Sequence, residues 1–316
     1  MLAQGLAALN YELPAQSRTA LESPTALRQQ DLSKCLNTRD HDEFFAGLQA
    51  DDRAAINSEM LCGASDFLEA VPSIKAGLAM APEEFVSELR TRLLMDQFPD
   101  DAWCLACDSV LDHRGRHAQV CAGLGDRVRK HNGTRNRFGA FADAACLHPE
   151  LEKPGLLQPS PEQPDASRRR PADVYVPSWK QGAPAAFDLA ITSPHRIDMV
   201  QQASLKPGAA AEAYKHFKRS FLNTAADCQR QGISFIPIVG EPSGGWGPSA
   251  LCVFKALARS IANTTGRDVA EVLKEHRQAL GVFLRQANAR ALFRRDPGSA
   301  PPVGDVFASA RLALDA

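Results

Sequence analysis

Arg170-Pro171-Ala172-Asp173-Val174-Tyr175-Val176 and, nine positions further on, Ala185-Ala186-Phe187-Asp188-Leu189-Ala190-Ile191-Thr192 are the segments on which the fold turns. In the second, Phe187, Leu189 and Ile191 share one side of an extended chain while Asp188 and Ala190 share the other, the period of two expected of a strand with a buried face. In the first, Val174 and Val176 alternate away from Asp173. The pair predicts neighbouring strands, one led by Asp173 and the other carrying Asp188 opposite Phe187.

The flanking sequence extends this pattern. Asp126 to Cys146 has helical composition, and Leu151 to Leu157 supplies a strand before Asp173. Ala209 to Arg230 reads as one long helix entered after Pro207-Gly208 and stopped near Gly232, and Ile233 to Val239 is an apolar, β-rich run. Gly244-Gly245-Trp246-Gly247 is a turn that brings in Trp246 as a core plug, and helices follow over about Pro248 to Asn263 and Arg267 to Arg294. The expected class is mixed α/β, with the order helix, three strands, helix, strand.

Four regions are expected: a helical N-terminal region (1–99), a small Cys/His module (100–125), the α/β domain (126–295) and a loose Pro/Gly-rich tail (296–316). The helical signal of the first is clearest where Pro82-Glu83-Glu84 opens a segment with Phe85, Leu89 and Leu93 on one face. Phe98-Pro99-Asp100-Asp101 superficially matches a reverse-transcriptase motif, but its proline disfavours a central strand, and it reads as a loop.

The second region holds Cys104, Cys107, His117 and Cys121 as Cys-x2-Cys-x9-His-x3-Cys. Three soft thiolates and an imidazole at short spacing suit tetrahedral, structural Zn2+, and a module this small depends on metal for its fold. His113 is a rival third ligand; His117 is favoured because it stands three residues before Cys121. Trp103 is expected to pack on this knuckle. The remaining cysteines are scattered without pattern, which points to a reducing compartment.

With 36 Lys+Arg against 37 Asp+Glu and a net charge of -1, the chain has no global attraction for polyanions. Nucleic-acid affinity must come from local runs: Arg127, Arg129, Lys130, His131, Arg135 and Arg137 on one helix, Arg168 with Arg169 and Arg170, and Arg285 to Arg295. No apolar run approaches the roughly 18 residues of a membrane span, so an intracellular location is expected. The three consecutive arginines add a weak nuclear signal.

The order of knuckle, basic helix, paired aspartates and helix with lysines resembles the C-terminal region of non-LTR retrotransposon proteins. There a CCHC zinc knuckle precedes a restriction-like endonuclease of the PD-(D/E)XK superfamily. The resemblance covers about 190 of the 316 residues. It implies a restriction-endonuclease-like αβββαβ core, with Asp173 and Asp188 as ligands for catalytic Mg2+ or Mn2+ and Leu189 adding a backbone carbonyl. It further implies Lys215 as the migrated catalytic lysine, with Lys218 as runner-up, and Glu152 as an accessory carboxylate. DNA is the implied partner, with RNA as the alternative; an oligomer is common in the superfamily, and no organic cofactor is implied. Two departures accompany it: Ala172 separates Pro171 from Asp173, and Ala190 occupies the usual lysine position. They leave open a second expectation, a nucleic-acid-binding remnant or zinc-knuckle interaction module that does not cut.

Overall fold

A computed structural model of the chain describes residues 7, 11, 29–159 and 166–296. The tail expected over 296–316 thus falls almost wholly outside the described residues, as does most of the first 28. Two compact units are present, Met1–Arg53 and Ala54–Ala316. The first contains α1 (Gln29–Ala46), and α2 (Ala50–Glu59) runs from the first unit into the second.

The second unit opens with α3 (Pro82–Arg92), whose first turn is set by Pro82 and by the Ala81 N–H donating to Glu84 at 3.1 Å. Its inward face is not the expected apolar stripe. Glu84, Ser87 and Glu88 are buried while Phe85 and Leu93 stay exposed. The reason is the partner: α3 packs on a helix that supplies arginines. Next come the hairpin β1 (Ala102–Trp103) and β2 (Val110–Leu111), the short α4 (His117–Val120) and α5 (Asp126–Ala144). Strands β3 (Glu150–Leu151), β4 (Val174–Val176) and β5 (Ala185–Ile191) lead to α6 (Val200–Leu205), α7 (Ala209–Ser220) and α8 (Thr224–Arg230). Strand β6 (Ser234–Gly240) precedes α9 (Pro248–Thr265) and α10 (Val269–Phe293). Residues 97–100 form bends and residue 101 is irregular, so the Phe98-Pro99-Asp100-Asp101 segment is a loop.

The molecule is therefore mixed α/β. Its main sheet runs β3-β4-β5-β6, antiparallel across the first two pairings and parallel between β5 and β6. The first strand is shorter than expected and lies at Glu150–Leu151. The helix expected over Ala209 to Arg230 is broken, because Leu222 and Asn223 adopt positive φ of 50° and 55° and so cannot continue a right-handed helix.

One face of the sheet meets α5 and α9, with α10 packed on both helices, through Phe138, Phe187, Leu189, Ile238, Trp246, Phe254, Leu257 and Leu280. Phe138 and Phe187 meet edge-on at 5.2 Å, and Trp246 is 1% exposed, the plug expected of it. Each such side chain contributes roughly 1.5–3 kcal/mol on burial. A Cβ on Gly133 would lie 2.1 Å from the Phe283 ring, so α5 approaches α10 only because that position has no side chain. The opposite face carries Ala186 with Phe235 and Leu157, and then Ala190 with Val239, Ala211 and Tyr214. Asp188 stands on this second face, as the alternation predicts.

The basic run from Arg285 to Arg295 is consumed internally, not displayed. Arg285, 1% exposed, bonds Glu59 at 2.6 Å and Glu88 at 3.1 Å. Arg290 bonds Glu84 at 2.6 Å, and Arg294 and Arg295 both reach Asp126. Among the described residues no helix is long and apolar enough to cross a membrane.

Candidate functional site

The knuckle is built by the β1–β2 hairpin and α4. Asp112 fixes the start of α4 by accepting the His117 N–H at 2.7 Å and the Arg116 N–H at 3.1 Å. One Cys pair lies on the hairpin arm, and His117 and Cys121 bracket the helix. Cys104 Sγ lies 3.9 Å from Cys121 Sγ, Cys107 Sγ 3.6 Å from Cys121 Sγ, and His117 Nε2 3.2 Å from Cys107 Sγ. All four donor atoms fall within 4.8 Å of one another. A tetrahedron with Zn–S of about 2.3 Å has edges of roughly 3.8 Å between sulfurs, so donor set and spacing suit a metal such as zinc. His113 is outside the group, its Nδ1 2.7 Å from Asp101.

The surroundings prepare the ligands. Backbone N–H groups of Ala106 and Gly123 donate to Cys104 Sγ and Cys121 Sγ, each at 3.4 Å. Burial raises the Cys104 pKa. Burial also works against the Cys121 thiolate, but the Arg295 guanidinium and the Gly123 N–H outweigh it and the pKa falls. Burial, then the charge of Arg295, lowers the His117 pKa and keeps the imidazole neutral, as a ligand must be. Trp103 does not pack as expected; it is 73% exposed.

The second cluster forms where β4 and β5 pair. Asp173 immediately precedes β4, its N–H donating to the Phe187 carbonyl at 2.9 Å, and Asp188 follows Phe187 on β5. Asp173 Oδ2 accepts the Leu189 N–H at 2.6 Å, and its Oδ1 lies 3.1 Å from His131 Nε2 on α5. Asp188 Oδ1 accepts from Lys218 Nζ on α7 at 3.0 Å. The side chains of Asp173 and Asp188 are 17% and 14% exposed.

Electrostatics separates the two acids. Burial opposes ionisation of Asp173, but His131, the Leu189 N–H and Lys218 outweigh it, and its pKa is lowered. Burial dominates at Asp188, and repulsion from Asp173 adds to it; Lys218 offsets only part, and the pKa rises to about 6. The hydrogen bond to Asp173 raises the His131 pKa, and Asp188 raises that of Lys218 against the effect of burial.

Several expected site residues are placed elsewhere. Lys215 bonds Glu212 at 2.5 Å on its own helix; the lysine that reaches the acids is Lys218, about one turn further along α7. Glu152 is held by Arg135 and, at 3.3 Å, by Arg170, outside the aspartate pair. Lys130 faces inward and donates to Asn288 at 2.7 Å, and burial lowers its pKa to about 8; it does not line an outer surface. Arg137 lies over the Phe283 ring at 3.9 Å, and Arg169 bonds Asp227 at 2.5 Å and Thr224 at 2.8 Å. Arg129 is exposed, donating to Asp126 at 3.1 Å.

Arg127 is exposed and lines an open cleft of about 440 Å³ with His131, Leu189, Tyr214 and Lys218. Sequence reasoning placed His131 in the basic run but gave it no part at the acids, because only the fold brings α5 beside β4. No protein-family model, curated protein or solved structure matches the chain.

Proposed function

We propose that this chain is a divalent-metal-dependent DNA endonuclease with a restriction-like PD-(D/E)XK core, derived from a non-LTR retrotransposon, its zinc knuckle assisting the hold on nucleic acid. The observation that carries this reading is the convergence of Asp173, Asp188 and Lys218 from two paired strands and the helix that follows them, beside an open cleft. The αβββαβ order of the elements around them supports it.

The donor set fits a hard cation. Burial raises Asp188 to about 6, with repulsion from Asp173 adding to it, and a bound Mg2+ or Mn2+ would offset both effects. Asp173 and Asp188 hold the ion in this reading, with the Leu189 carbonyl completing the protein's share. When bound, the cation supplies charge stabilisation for the phosphoryl group and acidity for the attacking water. His131 and the Leu189 N–H fix the Asp173 carboxylate in place. Lys218 is positioned to orient water or to offset the negative charge that builds on phosphorus in the transition state. At neutral pH both acids are ionised, as the role requires.

The decisive assay is cleavage of supercoiled plasmid at low salt in Mg2+ or Mn2+, wild type beside Asp188→Ala, with EDTA as control. Nicking that disappears in both the variant and EDTA is expected. A folded, zinc-loaded protein that never cuts but shifts oligonucleotides in a salt-dependent way establishes the second reading, a binding module that has lost hydrolysis. Ala172, standing between Pro171 and Asp173, favours that alternative.

A further inference from the structure

The cleft beside the aspartates continues outward. A second hollow of about 580 Å³ shares Gln119, Arg127, Ile191 and Tyr214 with the first, so the two form one groove. Its knuckle wall is α4, through Gln119 and Val120, and its other wall is α7. Along α7, Tyr214 and Phe217 are 5.6 Å apart between ring centroids, and Phe221, at the end of the helix, is 5.2 Å from Phe217. Spacings of three and four residues put the rings on one face. Phe217 and Phe221 are 49% and 51% exposed, a poor use of phenylalanine in a solvated helix unless something covers them.

We propose that this groove takes an unpaired DNA strand, its bases stacked along Tyr214, Phe217 and Phe221 and its backbone led to the Asp173–Asp188 pair. The proposal deepens the nuclease reading and rests on it for the direction in which the strand runs. A ladder of exposed rings offers π-faces, and only unpaired bases have faces free to meet them; a duplex presents its phosphates instead. The charge along the groove suits a phosphodiester. Arg127 is exposed and has no side-chain partner among the described residues. Lys218 lies 5.9 Å from the Tyr214 ring, which joins the ladder to the acids, and Arg196 lies 5.6 Å from the same ring. Asp198 bonds Arg196 at 2.6 Å, and His131 and Lys218 bond Asp173 and Asp188, so Arg127 is the cation left to meet a phosphate at the outer end of the groove.

The test uses the full, zinc-loaded chain carrying Asp188→Asn, so that binding is read without cleavage. Fluorescence anisotropy compares oligo-dT of about 20 nucleotides with a blunt duplex and with oligo-rU of the same length. The strand is expected to bind at least about tenfold tighter than the duplex. Replacing both Phe217 and Phe221 by Ala in that background should weaken strand binding by about tenfold per ring and leave duplex binding unchanged. Quenching of a 2-aminopurine placed in the strand should be lost with the rings.

Duplex binding as tight as strand binding, or unaltered strand binding by a double variant with native circular dichroism, overturns the proposal. Tighter oligo-rU binding overturns the assignment to DNA. A dimer that dissociates when the two rings are removed, read by light scattering, assigns the face to a second copy and overturns it as well. Plasmid cleavage by the wild type is scored separately: nicking without strand preference removes the groove proposal alone, whereas strand binding by a protein that never cuts removes the nuclease reading alone.

Discussion

Two buried clusters in this molecule share a formula, a pair of acids and a cation, yet differ in what surrounds them. Glu59 and Glu88 close on Arg285, which is 1% exposed and makes three carboxylate contacts at 3.1 Å or less, and Arg92 also reaches Glu59. Asp173 and Asp188 stand beside a cleft, Asp188 bonded by Lys218 and Asp173 by His131. A planar fork reaches both carboxylates, although burial still raises the Glu88 pKa to about 7. At the aspartates Asp173 is held down by His131 and the Leu189 N–H, while burial, with repulsion from Asp173 added, leaves Asp188 raised to about 6. A carboxylate raised by burial occurs in both clusters, so what sets the aspartate pair apart is the open cleft beside it.

Substitutions separate the two clusters most sharply. Asp188→Ala should cut plasmid cleavage by about 10⁴-fold, roughly 5 kcal/mol in the barrier, while thermal unfolding of the metal-free protein stays at or above the wild-type midpoint. Arg285→Met should do the reverse to stability, costing about 3–5 kcal/mol because Glu59 and Glu88 lose the charge that offsets their burial. A calorimetric scan distinguishes the two, and an Arg285→Met protein as stable as wild type sinks the contrast.

The lysines sharpen it next. Lys218→Ala is expected to slow cleavage about 100-fold, and Lys215→Ala, which breaks only a pair with Glu212, less than about twofold. Single-turnover rates would reverse the assignment if the order were opposite.

The smallest effect is on the pH dependence of stability. Asp188 has a folded pKa of about 6, above its unfolded value of 3.8, so the folded state holds the extra proton between those values. Its ionisation therefore costs stability as pH rises from about 4 to 6, and the cost stays constant above. Metal-free Asp188→Asn should gain on the order of 1–3 kcal/mol over wild type at pH 8, and the gain should vanish near pH 3.5. Equal gain at both pH values, from denaturant unfolding in chelator, removes Asp188 as the strained member.

Much of this geometry was legible in the sequence because it is local. The period of two around Asp188 put Phe187 and Leu189 in one core and the acid on the opposite face, where they are found. The spacing of Cys104, Cys107, His117 and Cys121 was enough to bring four donors together, since a hairpin and one helical turn close the group without help from elsewhere. Selection between Lys215 and Lys218 was not legible. Both lie on α7, and which of them reaches Asp188 depends on how that helix lies across β5 and β6. The inward course of Lys130 depends on Asn288, and the polar face of α3 on Arg285 and Arg290. Those partners lie 158 to 206 residues away, beyond any local pattern. The break was hidden because Leu222 gives no sign of positive φ, and Asn223, which tolerates it, gives a weaker sign than glycine does.

The arginines of α10 also set a timetable for synthesis. Glu59 is 226 residues upstream of Arg285. At about 5–20 residues per second a ribosome needs roughly 10–45 s to cover that distance. Until then Glu84 and Glu88 lack the arginines that face them and Glu59 has only Arg92 of its partners among the described residues, so the early helices cannot close fully on the emerging chain. The arginine contacts of the second unit form only when α10 leaves the exit tunnel, and a nascent chain stalled short of Arg285 should be open to proteases along residues 54–99.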